Sequence, residues 1–411
     1  MAARPVIWVG IDVGKRAHHA CAIDDKGKTV FSRKVDNDQA AIEELLTRAH
    51  AAADKVAGEL RWAIDLTSSF SALLRAVLTA ADQPVGYVPG RVVNRMSGVF
   101  RGEGKTDARD ARVIAESARM RTDELALITA TDEVTAELGR LVGHREDLMA
   151  DWVRGVNRLR DLLTSIFPAL EAAFDYSTRS ALILVTRFQT PAAIHAADLD
   201  GVTAHLRAHR AWAPGIDAMA ATAVAAARTQ TVTLPGQDST AVLIAGLATR
   251  LLELDREIKD TTKLIITRFR DHPDAEIIES LPGLGPILGA EFLVATGGSG
   301  GLSAGFANSG RLASYAGLVP VPQDSGRVSG NLRRPTRYNR RLRRVFYMAA
   351  LSSLQVEGPS RVFYQRKRAE RMLHTPALLA LARRLVDVLW ALLRDRRLFT
   401  TTAPQPTTTA A

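Results

Sequence analysis

A chain of 411 residues that is 46% hydrophobic and 24% charged is too long for one ordinary core and too apolar for disorder, so it points to two or three globular domains. No apolar run approaches about 18 residues and no charged-then-apolar leader precedes the first strand-like segment, which argues against a membrane span or secretory signal and for a cytoplasmic protein. The net charge of +10 sits almost wholly at one end: residues 271–411 hold 19 basic and 10 acidic side chains, against 19 and 17 in 1–130 and 16 and 17 in 131–270.

Residues 6–13 and 18–24 are apolar or alternating runs, Asp24-Asp25-Lys26-Gly27 is a turn, and 29–35 is a third strand, together a meander. Asp38 then opens a helix with Ile42, Leu45 and Leu46 on one face. Residues 60–66 read as a strand, 69–81 as an amphipathic helix, 85–88 as a strand, and 107–119 as a helix with Ala111, Ile114, Ala115 and Ala118 on one side. The order β-β-β-α-β-α-β-α is that of a ribonuclease-H-like (RuvC-like) domain over residues 1–130. In such a domain, acids at strand ends and on a late helix converge across the central sheet.

Four acids fit that pattern: Asp12 and Asp65 at strand ends, and Asp107 and Asp110 one helical turn apart. Oxygen ligands of this kind suit a hard cation such as Mg²⁺ beside substrate phosphates, and hence phosphodiester chemistry. Taken singly each has a plainer reading: a strand-end Asp is usually a turn or cap, and first-turn carboxylates complement the helix dipole. Lys105 and Arg109 flank the pair and could contact phosphate. Cys21, the one cysteine, excludes an internal disulfide or multi-cysteine zinc site and reads as a small buried strand residue. His18 and His19 lack metal-ligand spacing with it and are expected to decorate a strand surface.

From residue 131 the periodicity turns helical through Leu138, Leu141, Leu148, Trp152, Val156, Leu159 and Leu163, as one long helix ended by Pro168. It resumes with Val242, Leu247, Leu251, Ile258 and Leu264. Two long helices flanking an insertion at about 176–240 suggest a coiled coil over 131–270 suited to dimerisation, with an intramolecular helical hairpin as the alternative. Residues 271–399 form a third, mainly helical domain, and 400–411 a disordered tail. Within that third domain, Leu281-Pro282-Gly283-Leu284-Gly285 joins two helical stretches like a helix-hairpin-helix, where Gly283 and Gly285 would let the backbone approach a phosphate. Residues 325–356 contain no acid but carry Arg327, Arg333, Arg334, Arg337, Arg340, Arg341, Arg343 and Arg344, a nucleic-acid-binding surface by charge.

The pieces Gly10-Ile11-Asp12-Val13, Lys105-Thr106-Asp107-Ala108-Arg109-Asp110-Ala111, Leu281-Pro282-Gly283-Leu284-Gly285, and Tyr315-Ala316-Gly317-Leu318-Val319-Pro320 with Ser325-Gly326 resemble, in that order, the DEDD transposases of the one-ten insertion-sequence family. The resemblance implies a RuvC-like domain, a coiled coil and a C-terminal transposase domain with a serine nucleophile. It further implies a homodimer that assembles to a homotetramer on donor and target DNA, guided by a structured bridge RNA that the element encodes, and thus a nucleoid-associated protein. By position the metal-holding acids are Asp12, Asp65, Asp107 and Asp110, with Mg²⁺ as cofactor, and the nucleophile is Ser325; the second acid is usually Glu in that family and is Asp65 here. Two other readings use the same residues differently. A Holliday-junction-resolving or RNase-H-like nuclease would employ water as nucleophile, and a non-catalytic nucleic-acid scaffold would leave the acids idle.

Overall fold

The computed structural model describes residues 4–65, 69–88, 90–98, 106–121, 126–128, 133–297, 306–322 and 330–401. Contacts divide the chain into two compact units, residues 1–130 and 131–411. Among the described residues no helix is long and apolar enough to cross a membrane.

The first unit is a mixed sheet in the order β3-β2-β1-β4-β5-β6. Strands β1 (Val6–Asp12), β2 (Ala17–Ile23) and β3 (Thr29–Asp36) form the antiparallel meander. Then β4 (Glu59–Ile64) runs parallel to β1, β5 (Val85–Tyr87) parallel to β4, and β6 (Ala126–Ile128) antiparallel to β5. The first five strands carry the ribonuclease-H-like arrangement, and β6 is a short addition at one edge. Helices α1 (Gln39–Asp54), α2 (Ala72–Ala80), α3 (Gly90–Ser97) and α4 (Asp107–Met120) complete the unit. As the acid at the cap position suggests, the Asp38 side chain accepts from the Ala41 amide at 2.9 Å and starts α1.

Strand alternation sorts the two faces. Ile7, Val9 and Ile11 of β1 pack with Ile42 and Leu45 of α1 and Leu74 and Leu78 of α2. Trp8 of β1, Cys21 of β2 and Ala63 of β4 point the other way, against Ala111, Ile114, Ala115 and Ala118 of α4. Cys21 is buried, as its neighbours in the strand suggested. The expectation for the histidines needs correcting. His18 is 2% exposed, on the inner face with its Nε2 3.2 Å from Asn37 Oδ1, and only its neighbour His19 reaches the half-open face.

In the second unit, α5 (Glu133–Ile166) and α10 (Gln237–Arg270) lie antiparallel, tied by Arg268 to Glu137 at 2.5 Å, Arg145 to Thr262 at 3.0 Å and His144 to Glu257 at 3.2 Å. Both helices of the expected coiled coil therefore pair within one chain. The stretch read as an insertion is itself helical. Helices α6 (Pro168–Ala173), α7 (Arg179–Arg187), α8 (Pro191–Ala208) and α9 (Ile216–Arg228) bury Phe167, Tyr176, Phe188 and the α9 alanines against α5 and α10. At the other end of that helix pair a second core gathers Phe269, Phe292 and Phe346 with the apolar stripe of helix His374–Arg394.

Helices α11 (Ala275–Ser280) and α12 (Pro286–Thr296) flank the glycine turn. Gly283 has φ +90°, and a Cβ there would lie 2.1 Å from the Ala349 carbonyl oxygen. The absent side chain therefore serves a close approach to helix Arg340–Ser353 of the same unit, where the sequence suggested an approach to phosphate. Gly285, just before α12, is open on its Cα side.

Candidate active site

Asp12 is the last residue of β1, and Asp65 immediately follows β4. The parallel register pairs Ile11 with Ile64, so the two acids emerge side by side at the carboxyl ends of adjacent strands. The Val13 amide donates to Asp65 Oδ1 at 3.3 Å and joins the two strand ends directly.

Helix α4 brings the other pair. Its N-cap Thr106 accepts from the Arg109 amide, placing Asp107 and Asp110 in the first turn, where exposed peptide N–H groups favour negative charge. Gly10 sets how near this helix comes: a Cβ at that position would sit 2.3 Å from both the Ala111 oxygen and the Ala115 nitrogen. With no side chain in the way, the α4 backbone rests on β1 two residues before Asp12. Its acidic first turn begins four residues before Ala111.

The electrostatics register this proximity. Burial pushes the Asp65 carboxyl above its ordinary value; the amides of Val13 and of Asp65 itself pull it back, and the charge of Asp110 adds to the rise. His19 pairs across β1 and β2 with Asp12. Its imidazole is lowered by burial, while the negative charge of Asp107 works to raise it. Its Nε2 lies 2.9 Å from Ser32 Oγ, which holds the ring in place. The sequence places His19 on a strand surface, and its position opposite Asp12 in the hairpin follows from the register of β1 and β2.

Asp12, Asp65 and Asp110 are half-buried and Asp107 is exposed. Among the described residues no three His, Cys, Asp or Glu side chains stand close enough to grip one ion. The structure thus brings together the three backbone segments that carry the acids, with the carboxylates short of a closed ligand shell. Their chemistry still fits a divalent cation: the donors are all oxygen, and the cost of ionising Asp65, set first by burial and then by Asp110, is one that a nearby cation would relieve.

Arg109 donates from its guanidinium to the Ser97 carbonyl at 3.0 Å, so it fastens α3 to α4. Lys105, Ser325 and Arg327 lie outside the described residues, as do 402–411 of the expected tail.

The arginine segment divides in two. Arg333, Arg334, Arg337 and Arg340 are exposed. Arg341 grips Glu146 of α5 through two nitrogens, and Arg344 pairs with Glu291 of α12, which is 1% exposed. Arg343 donates to the Gly317 carbonyl at 2.6 Å and stacks 5.0 Å from the Tyr338 ring centre. The segment was expected to lack compensating acids; Arg341 and Arg344 find them in helices distant in sequence, and their first role is to join elements of the second unit.

Comparison with known proteins adds an independent finding. Residues 9–168 match a family of DEDD type described as transposase, and residues 275–365 match the transposase IS116/IS110/IS902 family. Over 405 residues, 98% of each chain, the sequence is 53% identical to an uncharacterized 44.8 kDa protein of insertion element IS116 from Streptomyces clavuligerus. It is 49% identical over 410 residues, 100% of each chain, to an uncharacterized 42 kDa protein of insertion element IS900 from Mycobacterium paratuberculosis. It is also 33% identical over 409 residues to an uncharacterized 43.6 kDa protein of insertion element IS110 from Streptomyces coelicolor, covering 97% of this chain and 96% of that one.

Proposed function

The chain belongs to the IS116/IS110/IS902 transposase family, and from that premise we propose that it cuts and rejoins DNA strands with the four acids and a serine nucleophile. The observation that carries the reading is the meeting of the β1 end, the β4 end and the first turn of α4, with Gly10 allowing the contact. Asp12, Asp65, Asp107 and Asp110 are the residues that would hold a divalent cation, Mg²⁺ in this reading. When bound, such an ion supplies charge stabilisation at the scissile phosphate.

Ser325 is assigned the attack on phosphorus. Its Oγ–P bond forms as the P–O bond to the departing strand breaks, and its proton passes to a base, because a serine hydroxyl is a weak nucleophile at neutral pH. The covalent ester keeps the phosphodiester energy, so exchanged strands can be resealed without a nucleotide cofactor. Exposed Arg333, Arg334, Arg337 and Arg340 are assigned to phosphate contacts, with Gly285 at the start of α12 as a further backbone contact.

The proposed assembly is a homodimer that pairs into a tetramer on donor and target duplexes, with an element-encoded bridge RNA choosing both sequences and Ser325 supplied by a second protomer. The paired α5 and α10, whose apolar residues recur at helical spacing, are assigned the dimer contact in this reading.

The test is incubation of the protein, flanking RNA and labelled donor DNA with Mg²⁺. The proposal expects a protein–DNA adduct that disappears in both Ser325→Ala and Asp107→Asn. An adduct that persists in Ser325→Ala removes the serine from its role, and hydrolysed product with no adduct supports the nuclease reading.

A further inference from the structure

Helix Pro359–Ala369 has no buried residue, although it packs beside helix His374–Arg394. Pro359, Val362, Phe363 and Arg366 recur at helical spacing and so share one face. With Arg384 from the neighbouring helix they line an open groove of about 640 Å³. Val362 is 66% exposed, and Phe363 is half-buried with one side against the core of the second unit. The Arg366 guanidinium lies 5.2 Å and the Lys367 ammonium 5.9 Å from the centre of the Phe363 ring.

Charge around the groove is one-sided. Residues 357–387 carry seven Lys or Arg against two Glu and one Asp. Glu370 draws Lys367 at 2.7 Å and Arg366 at 3.9 Å, and Glu357 lies 4.0 Å from Arg361. Arg383 is engaged by Asp387 at 2.5 Å, whereas Arg384 is exposed at the groove. Arg366 and Arg384 both lie beyond residues 275–365, the stretch that matches the family.

An apolar, aromatic floor between guanidinium rims does not suit a duplex, whose bases are stacked inside and whose surface is phosphate. It suits an unpaired strand, in which a base offers its flat face to apolar and aromatic side chains and the phosphates on either side meet cations. We propose that the groove between helix Pro359–Ala369 and Arg384 docks an unpaired DNA strand, one base lying over Val362 and Phe363 and the flanking phosphates on Arg366 and Arg384. The choice of DNA rests on the strand-cutting reading above, since strand exchange must leave bases unpaired while the two duplexes trade partners.

The experiment is fluorescence anisotropy on the full chain with a labelled oligothymidylate, an equal-length DNA duplex and an equal-length oligouridylate RNA. The Arg366→Gln, Arg384→Gln double variant should bind the thymidylate about tenfold more weakly. The slope of log affinity against log salt should fall by about 1.4, roughly 0.7 for each phosphate lost. Val362→Ser, at an exposed position, should weaken thymidylate binding about fourfold, the scale of one buried CH₂ group lost from an apolar contact. Duplex affinity should change less than about twofold in either variant. The proposal is overturned if thymidylate binding is unchanged, if duplex binding falls in parallel, or if the uridylate binds more tightly than the thymidylate. Ser325→Ala, inert in cleavage under the proposed function, should bind the thymidylate as the unaltered chain does. Loss of adduct with docking retained therefore bears on the nucleophile, and loss of docking with adduct retained bears on the groove.

Discussion

The acidic edge of the first unit and the arginine segment of the second use charge in opposite ways. The acids come from three segments far apart in sequence, and the fold draws them together although burial and a like-charged neighbour raise the Asp65 carboxyl. The arginines are clustered within residues 333–344, and the fold disperses them: Arg341 and Arg344 join helices, Arg343 binds a carbonyl and an aromatic ring, Arg334 donates to the Tyr338 hydroxyl, and Arg333, Arg337 and Arg340 stay exposed. Under the proposed function the gathered acids serve a metal centre, whereas charge that is merely adjacent along the chain is divided between scaffold and surface.

The sharpest way to break this contrast is to neutralise the acids. Asp65→Asn or Asp107→Asn should lower strand cleavage by about 100-fold or more, the scale seen when a transition-state charge stabiliser is removed. Asp65→Asn should at the same time raise the melting temperature near neutral pH. Its folded-state carboxyl is held above the unfolded value, so ionisation costs stability as pH rises through that interval, and the amide escapes this cost. The stabilisation should vanish in acid, below the ordinary carboxylate range, where both states are protonated; a pH series of thermal melts checks the sign.

Next in size is the scaffold half of the arginine segment. Arg344→Met leaves Glu291 buried with Glu146 nearby and should cost about 1–3 kcal/mol in urea unfolding, as expected for a buried charged acceptor that loses its partner. A comparable loss, about 1–3 kcal/mol, is expected for Gly10→Ala, whose methyl must push α4 off β1. That change should also cut activity while leaving all four acids in the chain. Smallest is Arg337→Gln, at an exposed position: unfolding should be unchanged, and the salt slope of DNA affinity should drop by about 0.9. If Arg344→Met and Arg337→Gln behaved alike, the division of the segment would fail.

Much of the first unit was legible because its elements are long and strongly patterned. Alternation marked β1 to β3, the acid at Asp38 marked the α1 start, and apolar spacing marked α4. Helix α3 and strand β6 escaped notice, since eight and three residues are too few to show a period. Helices α7–α9 fall in the stretch the sequence marks as an insertion, since many of their apolar residues are alanines between Pro and Thr breaks, and alanine signals burial weakly until a partner surface is known. The ion pair between Arg341 and Glu146 joins positions 195 apart in sequence, and no local count of charge reveals such a pair. The four acids were legible by their places at strand ends and on a helix start. The distance between their carboxylates was not, because it depends on how closely α4 rides over Gly10.

The most direct test of the acidic edge is Mn²⁺ binding to the full chain, followed by electron paramagnetic resonance in the absence of DNA. The unaltered chain and Arg337→Gln should take up the ion alike, while Asp65→Asn and Asp110→Asn should bind it at least about tenfold more weakly, as expected when a ligand or its orienting partner is lost. Equal uptake by all four proteins would contradict the assignment of these acids to a metal-dependent centre.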